Sequence, residues 1–274
     1  MHSVNEIGKN LVYSNDGFWK SKNVTDVSYP EYGHELCLTL EDDSFWFNHR
    51  NDIIIELVKQ YNNNNVVIDI GGGNGFVSNA LQNNGIECVL VEPGINGIVN
   101  AKKRGVRNLV CSTLEDAGFE ENSLDSVGLF DVLEHIENDN NFIYNLSGYL
   151  KNDGLIFLTV PAYNFLWSDE DKKGGHFRRY TLAQLKNVLN TSNFEILFMS
   201  YFFKFLPLPI FLLRTIPSFF KISKLLDVDK EHKNEDSIFS RIIKKTLENE
   251  LKTIKNKKRI NFGGSCVVVG KRVG

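Results

Sequence analysis

The chain has 274 residues, 42% of them hydrophobic and 24% charged, with a formal net charge of −3. That composition fits a globular protein with room for one large domain plus insertions, and its charge gives no reason to expect nucleic acid as a partner. Four cysteines (Cys37, Cys88, Cys111, Cys266) lie far apart with no C-x-x-C pair, so free thiols are expected and no metal site. The N-terminus has no basic segment followed by an apolar core, which makes cytoplasmic the expected location.

Residues 1–44 are polar and turn-rich, with aromatics at Tyr13, Phe18, Trp19, Tyr29 and Tyr32. They carry no regular period and are expected as an irregular arm on the body. A helix follows over 43–61, with Asp43 or Ser44 as N-cap and Phe47, Ile54, Leu57, Val58 and Tyr61 at helical spacing. Strands and helices then alternate. Strands are expected at 66–70, 87–91, 109–111, 126–130, 154–160 and 194–201, and helices at 75–84, 95–104, 139–150 and 181–192. Alternation with short connections predicts a mostly parallel sheet covered on both faces. An insertion over 206–258 reads first as apolar helix (208–225, broken by prolines) and then as charged helix (237–257). The last strand is 264–270. The expected division is an arm at 1–44, a core at 45–205 and 259–274, and an insertion or cap at 206–258.

The strongest pattern is Val66-Val-Ile-Asp-Ile-Gly-Gly-Gly-Asn-Gly-Phe76, followed by Val89-Leu-Val-Glu-Pro93. An apolar strand enters a glycine loop, and a second strand ends in an acid 23 positions after Asp69. Glycines let backbone approach a ligand, and a carboxylate at the next strand end can accept both ribose hydroxyls. A dinucleotide fingerprint would need a third glycine where Phe76 stands. The motif is D-x-G-x-G-x-G instead.

In that motif the chain resembles the class I S-adenosylmethionine-dependent methyltransferases. Phe130-Asp-Val-Leu-Glu-His-Ile136 resembles the family's strand-four motif, and Leu150-Lys-Asn-Asp-Gly-Leu-Ile-Phe-Leu-Thr-Val-Pro161 its strand five, with Asp153 where a glycine is usual. The likeness covers roughly 45–200. It implies an α/β fold, a doubly wound and mostly parallel seven-stranded sheet of Rossmann-like form with an antiparallel final strand, and S-adenosyl-L-methionine as cofactor.

The donor site implied by this resemblance comprises Asp69, Gly71, Gly73 and Gly75 in the loop, with Glu92 on the ribose. Pro93 and Gly94 border the adenine with Ser112, Thr113 and Leu114, Ser112 standing where the family usually has an acid and Glu115 competing for that role. Phe130 and Asp131 end strand four. Arg50, in Trp46-Phe-Asn-His-Arg-Asn51, has three readings: a donor-carboxylate partner, a lid residue or a structural ion pair. His135 and His176 are the candidate general bases, needed where the acceptor is a hydroxyl. The stretch Trp167-Ser-Asp-Glu-Asp-Lys-Lys-Gly-Gly-His-Phe-Arg-Arg-Tyr-Thr181 resembles a loop of a family subset, with Asp169 or Asp171 in its acidic position. Arg178, Arg179 and Tyr180 would suit an anionic acceptor. In the competing reading this loop folds onto Asp131 or Glu134 and closes the pocket.

The expected activity is methyl transfer to a small or carrier-linked (lipid or glycan) acceptor at oxygen. The alternatives are an NAD(P)-dependent oxidoreductase and a non-catalytic donor-binding protein. The apolar part of the insertion is expected as a cap or dimer face ahead of a peripheral membrane contact, since Lys204, Arg214 and three prolines break it too often for a spanning helix.

Overall fold

The computed structural model describes residues 8–22, 38, 41–42, 44–220 and 238–274. Tyr29, Tyr32, Cys37 and the Asp43 cap, together with positions 221–237 of the insertion, lie outside the described residues.

The helix Phe45–Tyr61 starts at Ser44, whose hydroxyl accepts from the Trp46 N–H at 3.2 Å. Its buried face, with Ile53, Ile54, Leu57 and Val58, repeats at helical spacing and packs on the sheet. The strands are β1 (Leu11–Tyr13), β2 (Trp19–Ser21), β3 (Val67–Ile70), β4 (Cys88–Val91), β5 (Leu109–Cys111), β6 (Leu124–Phe130), β7 (Leu150–Pro161), β8 (Phe194–Phe202) and β9 (Ser265–Arg272). Their order across the sheet is β1-β2-β5-β4-β3-β6-β7-β9-β8. Pairing is parallel from β2 through β7 and antiparallel at both ends, β9 lying between β7 and β8.

Among the described residues the sheet therefore has nine strands, not the seven expected. The arm supplies the extra pair. β1 and β2 form a hairpin, and β2 joins the sheet edge with Trp19 opposite Val110 and Lys20 opposite Cys111. Three-residue strands are too short to show a period, but Asn15-Asp16-Gly17 carries a turn signal, and Gly17 does sit at φ +81°.

Every residue of β3 and β4 is buried, as central parallel strands require. Alternate side chains serve opposite layers. Ile68, Val89, Val127 and Ile156 pack beneath helices Asp139–Tyr149 and Leu182–Thr191, while Val67, Cys88, Phe157 and Val267 face Phe45–Tyr61 and Phe76–Asn83. Asp153 holds φ +64° inside β7, which explains why glycine is usual there and why an aspartate is tolerated.

The insertion divides in two. Its apolar part breaks into short helical pieces, Pro207–Ile210, Phe211–Thr215 (a π-turn) and Ile216–Phe219, because Pro209 and Pro217 interrupt the ladder. Its charged part is one helix, Ile238–Lys255, with Leu247 and Ile254 buried in the same cluster as Ile53 and Leu57. Among the described residues, no helix is long and apolar enough to cross a membrane. Cys88, Cys111 and Cys266 are buried free thiols, as expected.

Candidate donor site and its histidine rim

β3 and β4 are neighbours in register, Asp69 opposite Leu90 and Ile70 opposite Val91, so the loop after one strand and the acid after the other meet at one rim. Glu92 turns toward the glycine loop. Its Oε2 accepts from the Gly73 N–H at 3.0 Å and its Oε1 from the Gly94 N–H at 2.7 Å. Burial pushes its carboxyl up to about 7, against the two backbone hydrogen bonds that favour the ionised form. Each oxygen keeps a second lone pair for a ligand hydroxyl.

Two glycines in the loop have distinct physical reasons. Gly73 sits at φ +52°, and a Cβ there would meet nothing within 4 Å, so its side of the loop is open. Gly75, at φ +74°, would push a Cβ to 2.7 Å from Ala101 Cβ and 2.8 Å from Val106 Cγ2, so only glycine lets the two following helices pack this closely. Gly75 then caps Phe76–Asn83, whose first turn offers backbone N–H groups at the loop. Gly71 also has positive φ. Asp69 supports the loop from beneath: it is buried, its Oδ2 accepts from Ser78 Oγ at 2.6 Å, and burial raises its carboxyl to about 6.

On the side expected to border the adenine, Pro93 and Gly94 are partly exposed at the rim. Ser112 is buried and donates to the Thr113 carbonyl at 2.9 Å, while Thr113 Oγ1 accepts from the Asp116 N–H. Leu114 points into the core. Ile95, next to Gly94, remains 45% exposed and adds an apolar surface that the sequence reading did not assign.

Arg50 ion-pairs with Asp131, and its guanidinium lies over the rings of Trp46 (5.0 Å) and Phe47 (5.3 Å). Asp131 holds φ +58°, a strained conformation for a non-glycine residue at the end of β6. The Phe130 ring is buried against Gly128, where a Cβ would come within 2.3 Å of it.

The second half of the rim is the turn Leu133–His135 and the loop that returns after β7. The two imidazoles meet edge to face with centroids 4.7 Å apart, so both predicted histidines share one place. Burial, reinforced by the neighbouring His176, pushes His135 down to about 4; its ring also bonds the backbone of Gly174 and Gly175. His176 Nδ1 lies 2.9 Å from Asp171 Oδ1. Asp171 is the acidic residue the loop pattern called for. Burial alone would raise its carboxyl, but hydrogen bonds from His176 and Arg179 hold it well below the usual range. Glu134, beside them, is 1% exposed and its Oε2 has no hydrogen-bond partner. Burial and then the Asp131 charge keep its carboxyl well above the ordinary value.

The three residues expected to hold an anionic acceptor point at protein carboxylates. Arg179 is buried and grips Asp171 with two N–H groups, at 2.7 and 3.0 Å. The Tyr180 hydroxyl donates to Asp139 at 2.8 Å, and Arg178 pairs with the same carboxylate. The Phe177 N–H donates to the Glu134 carbonyl at 2.7 Å. The loop thus folds onto the Glu134 turn, one of the two places the competing reading named for it. A sequence motif shows that arginines are present, not which carboxylate folding brings to them.

A groove of about 590 Å³ runs along the helix that follows the loop, past Asn51, Phe76, Asn79, Lys103 and Arg104. Its lining includes none of Gly71, Gly73, Gly75 or Glu92, so it flanks the cradle rather than forming it.

A glycine loop facing a carboxylate at adjacent strand ends of a doubly wound sheet defines a nucleoside-binding α/β protein. Residues 45–197, more than half of the chain, match the family described as a methyltransferase domain, and the chain belongs to that family. It is 29% identical over 115 residues to the ubiquinone biosynthesis O-methyltransferase of Rickettsia felis, covering 39% of this chain and 47% of that protein. The counterpart from Rickettsia canadensis is 30% identical over 116 residues, 39% of this chain and 48% of that one. The chain thus spans about half the length of the curated relatives it matches. Among solved structures, it is similar to Haemonchus contortus phosphoethanolamine N-methyltransferase 2 in complex with S-adenosyl-L-methionine (TM-score 0.55, 15% identity, 93% of this chain and 61% of that one). It is also similar to an S-adenosylmethionine-dependent methyltransferase from Archaeoglobus fulgidus (TM-score 0.51, 17% identity, 84% and 100%). At such identities the likeness is one of fold.

Proposed function

We propose that the protein is an S-adenosylmethionine-dependent methyltransferase acting at an oxygen of a small or carrier-linked acceptor. The observation that carries the donor half is Glu92 hydrogen-bonded to Gly73 across the open face of the loop. Glu92 would accept the ribose hydroxyls, and the N–H groups after Gly75 would receive the donor carboxylate. Pro93, Ser112, Thr113 and the Leu114 backbone would border the adenine. When bound, the donor supplies a methyl group on a sulfonium, open to in-line attack. The protein's contribution is alignment and exclusion of water.

Oxygen as the accepting atom is supported by the relatives' names and by the two histidines beside the end of β6. A hydroxyl must lose its proton as it attacks. His135 and His176 would take it, and the contact of Asp171 with His176 Nδ1 supports an orienting role for that acid. Isothermal titration with S-adenosylmethionine and with its demethylated product should give saturable one-to-one binding, strongly weakened in Glu92→Ala. Absence of binding to the wild-type chain would remove the proposal. Methyl transfer from labelled donor to a panel of phenols and lipid-linked hydroxyls tests the acceptor half, and transfer to amines alone would overturn it.

A further inference from the structure

The insertion between β8 and β9 reaches the rim of the candidate donor site by two routes. One is its charged helix. His49 meets Glu250 at 2.8 Å, Glu56 meets Lys255 at 3.5 Å, and the Lys257 ammonium lies 4.9 Å from the centre of the Tyr61 ring, so Ile238–Lys255 runs parallel to Phe45–Tyr61. His49 is the fifth residue of its helix and Glu250 the thirteenth of the other. At a rise of about 1.5 Å per residue, Ile238–Lys255 therefore begins roughly 12 Å beyond the start of Phe45–Tyr61. That start is the rim end, since Arg50 pairs there with Asp131, directly after β6. The other route is the apolar pieces. Ser218 Oγ accepts from the Asp169 N–H at 2.6 Å, and the Phe211 ring stands edge-on to Phe165 at 6.3 Å, both partners lying in the loop after β7.

Both parts leave apolar and cationic side chains in solvent. Leu208, Leu212 and Leu213 are exposed, Phe219 is 83% exposed and Phe220 65%, and Ile242 stands out from the first turns of the charged helix. Lys204, Arg214, Arg241, Lys244 and Lys245 are exposed beside them, and none forms an ion pair among the described residues. Of the two acids in Ile238–Lys255, Glu250 is buried and only Glu248 is exposed. We infer that the insertion seats the protein on the surface of an anionic lipid bilayer, with Phe219 and Phe220 entering the interface and Arg241, Lys244 and Lys245 on the headgroups. A cap would turn its aromatic rings onto the pocket, whereas these two face solvent. A nucleic acid would use the cations and leave the exposed leucines and phenylalanines without a purpose. An isologous contact with a second copy would bury the apolar groups but bring the patch's own cations face to face. An anionic bilayer takes both kinds of side chain at once. The contact lies on the surface, since no described helix is long and apolar enough to cross. It goes beyond the proposed methyl transfer and is measured without turnover. Joined to that proposal, it places the rim against the layer from which a lipid-linked acceptor would come.

The full-length chain is sedimented with vesicles of phosphatidylcholine alone and of phosphatidylcholine mixed with phosphatidylglycerol. Binding to the mixed vesicles should be at least about tenfold tighter and should weaken as salt is raised. Two double variants separate the contributions: Lys244→Gln with Lys245→Gln, and Phe219→Ser with Phe220→Ser. Each should weaken vesicle binding by at least about tenfold. All four side chains are exposed or lie on an exposed face, so far-ultraviolet circular dichroism should match the wild type in both. No binding to the mixed vesicles overturns the inference, as does wild-type affinity in both folded double variants. Equal binding to the two kinds of vesicle overturns the anionic assignment. Two further results would replace the bilayer with another partner, each in the absence of vesicle binding: RNA binding lost only in the lysine variant, or a dimer in light scattering that dissociates only in the phenylalanine variant. If donor binding fails while vesicle binding succeeds, the donor reading falls and the bilayer contact stands.

Discussion

At the scale of single residues, Glu92 carries the most chemical consequence. Its folded carboxyl sits near 7 against an ordinary 4.5, because burial penalises the charge. Ribose hydroxyls donate to the ionised form, so donor binding must expel a proton wherever the free protein still holds it. Donor affinity should therefore rise about tenfold per pH unit below about 7 and level off above. Calorimetry from about pH 6 to about pH 8 reads this slope. Glu92→Gln should flatten it and weaken binding by roughly 10- to 100-fold, the loss expected for hydrogen bonds to a charged group. A slope that survives in Glu92→Gln would assign the proton to another group. The same shift has a stability consequence of opposite sense. Between 4.5 and about 7 the folded chain holds a proton that the unfolded chain has lost, so this carboxyl lowers stability as pH rises through that window.

Among the elements, the loop from Trp167 to Tyr180 shows where a motif and its folded meaning part. Its residues were all legible as candidates, but their partners were not. Arg179 and Asp171 lie eight positions apart in sequence and close on each other as a buried bidentate pair. Replacing Asp171 by alanine leaves the Arg179 guanidinium buried without its carboxylate, and should cost roughly 3–5 kcal/mol in urea denaturation. A loss below ~1 kcal/mol would mean that the pair is solvated in solution. Arg178, more exposed and paired with Asp139, should matter far less: Arg178→Ala is expected within about 1 kcal/mol of wild type. The helix Phe45–Tyr61, by contrast, was readable from Ser44 and its apolar spacing, because cap and amphipathic face are both local properties.

Over the whole molecule, the sheet is held at its far side by a contact that no sequence window contains. Glu250, on Ile238–Lys255, is fully buried and bonds His49 Nε2 at 2.8 Å, the Phe203 N–H at 2.7 Å and the Lys204 N–H at 3.0 Å. One side chain ties the insertion's second helix to the first core helix and to the chain leaving β8. Glu250→Ala should lower stability by roughly 3–5 kcal/mol and speed hydrogen exchange along Ile238–Lys255 well before the central strands. Unchanged exchange in that helix would show that its apolar face alone holds it.

The order of strands and long helices from residue 45 to 202, the glycine loop and the acid after β4 were written in the sequence, because periodicity, capping and glycine spacing act over a few neighbouring residues; the short helix Asp169–Lys173 was not. The β1–β2 hairpin escaped that reading because its strands are short and its stability comes from pairing with β5, far along the chain. Tertiary structure alone decided that Arg50 meets Asp131, that Arg179 closes on Asp171, and that Glu134, His135 and His176 share one corner. The first and third span large sequence separations, while the second joins residues eight positions apart within one loop. They are set by which strand ends the doubly wound sheet brings side by side, and no local pattern encodes that choice.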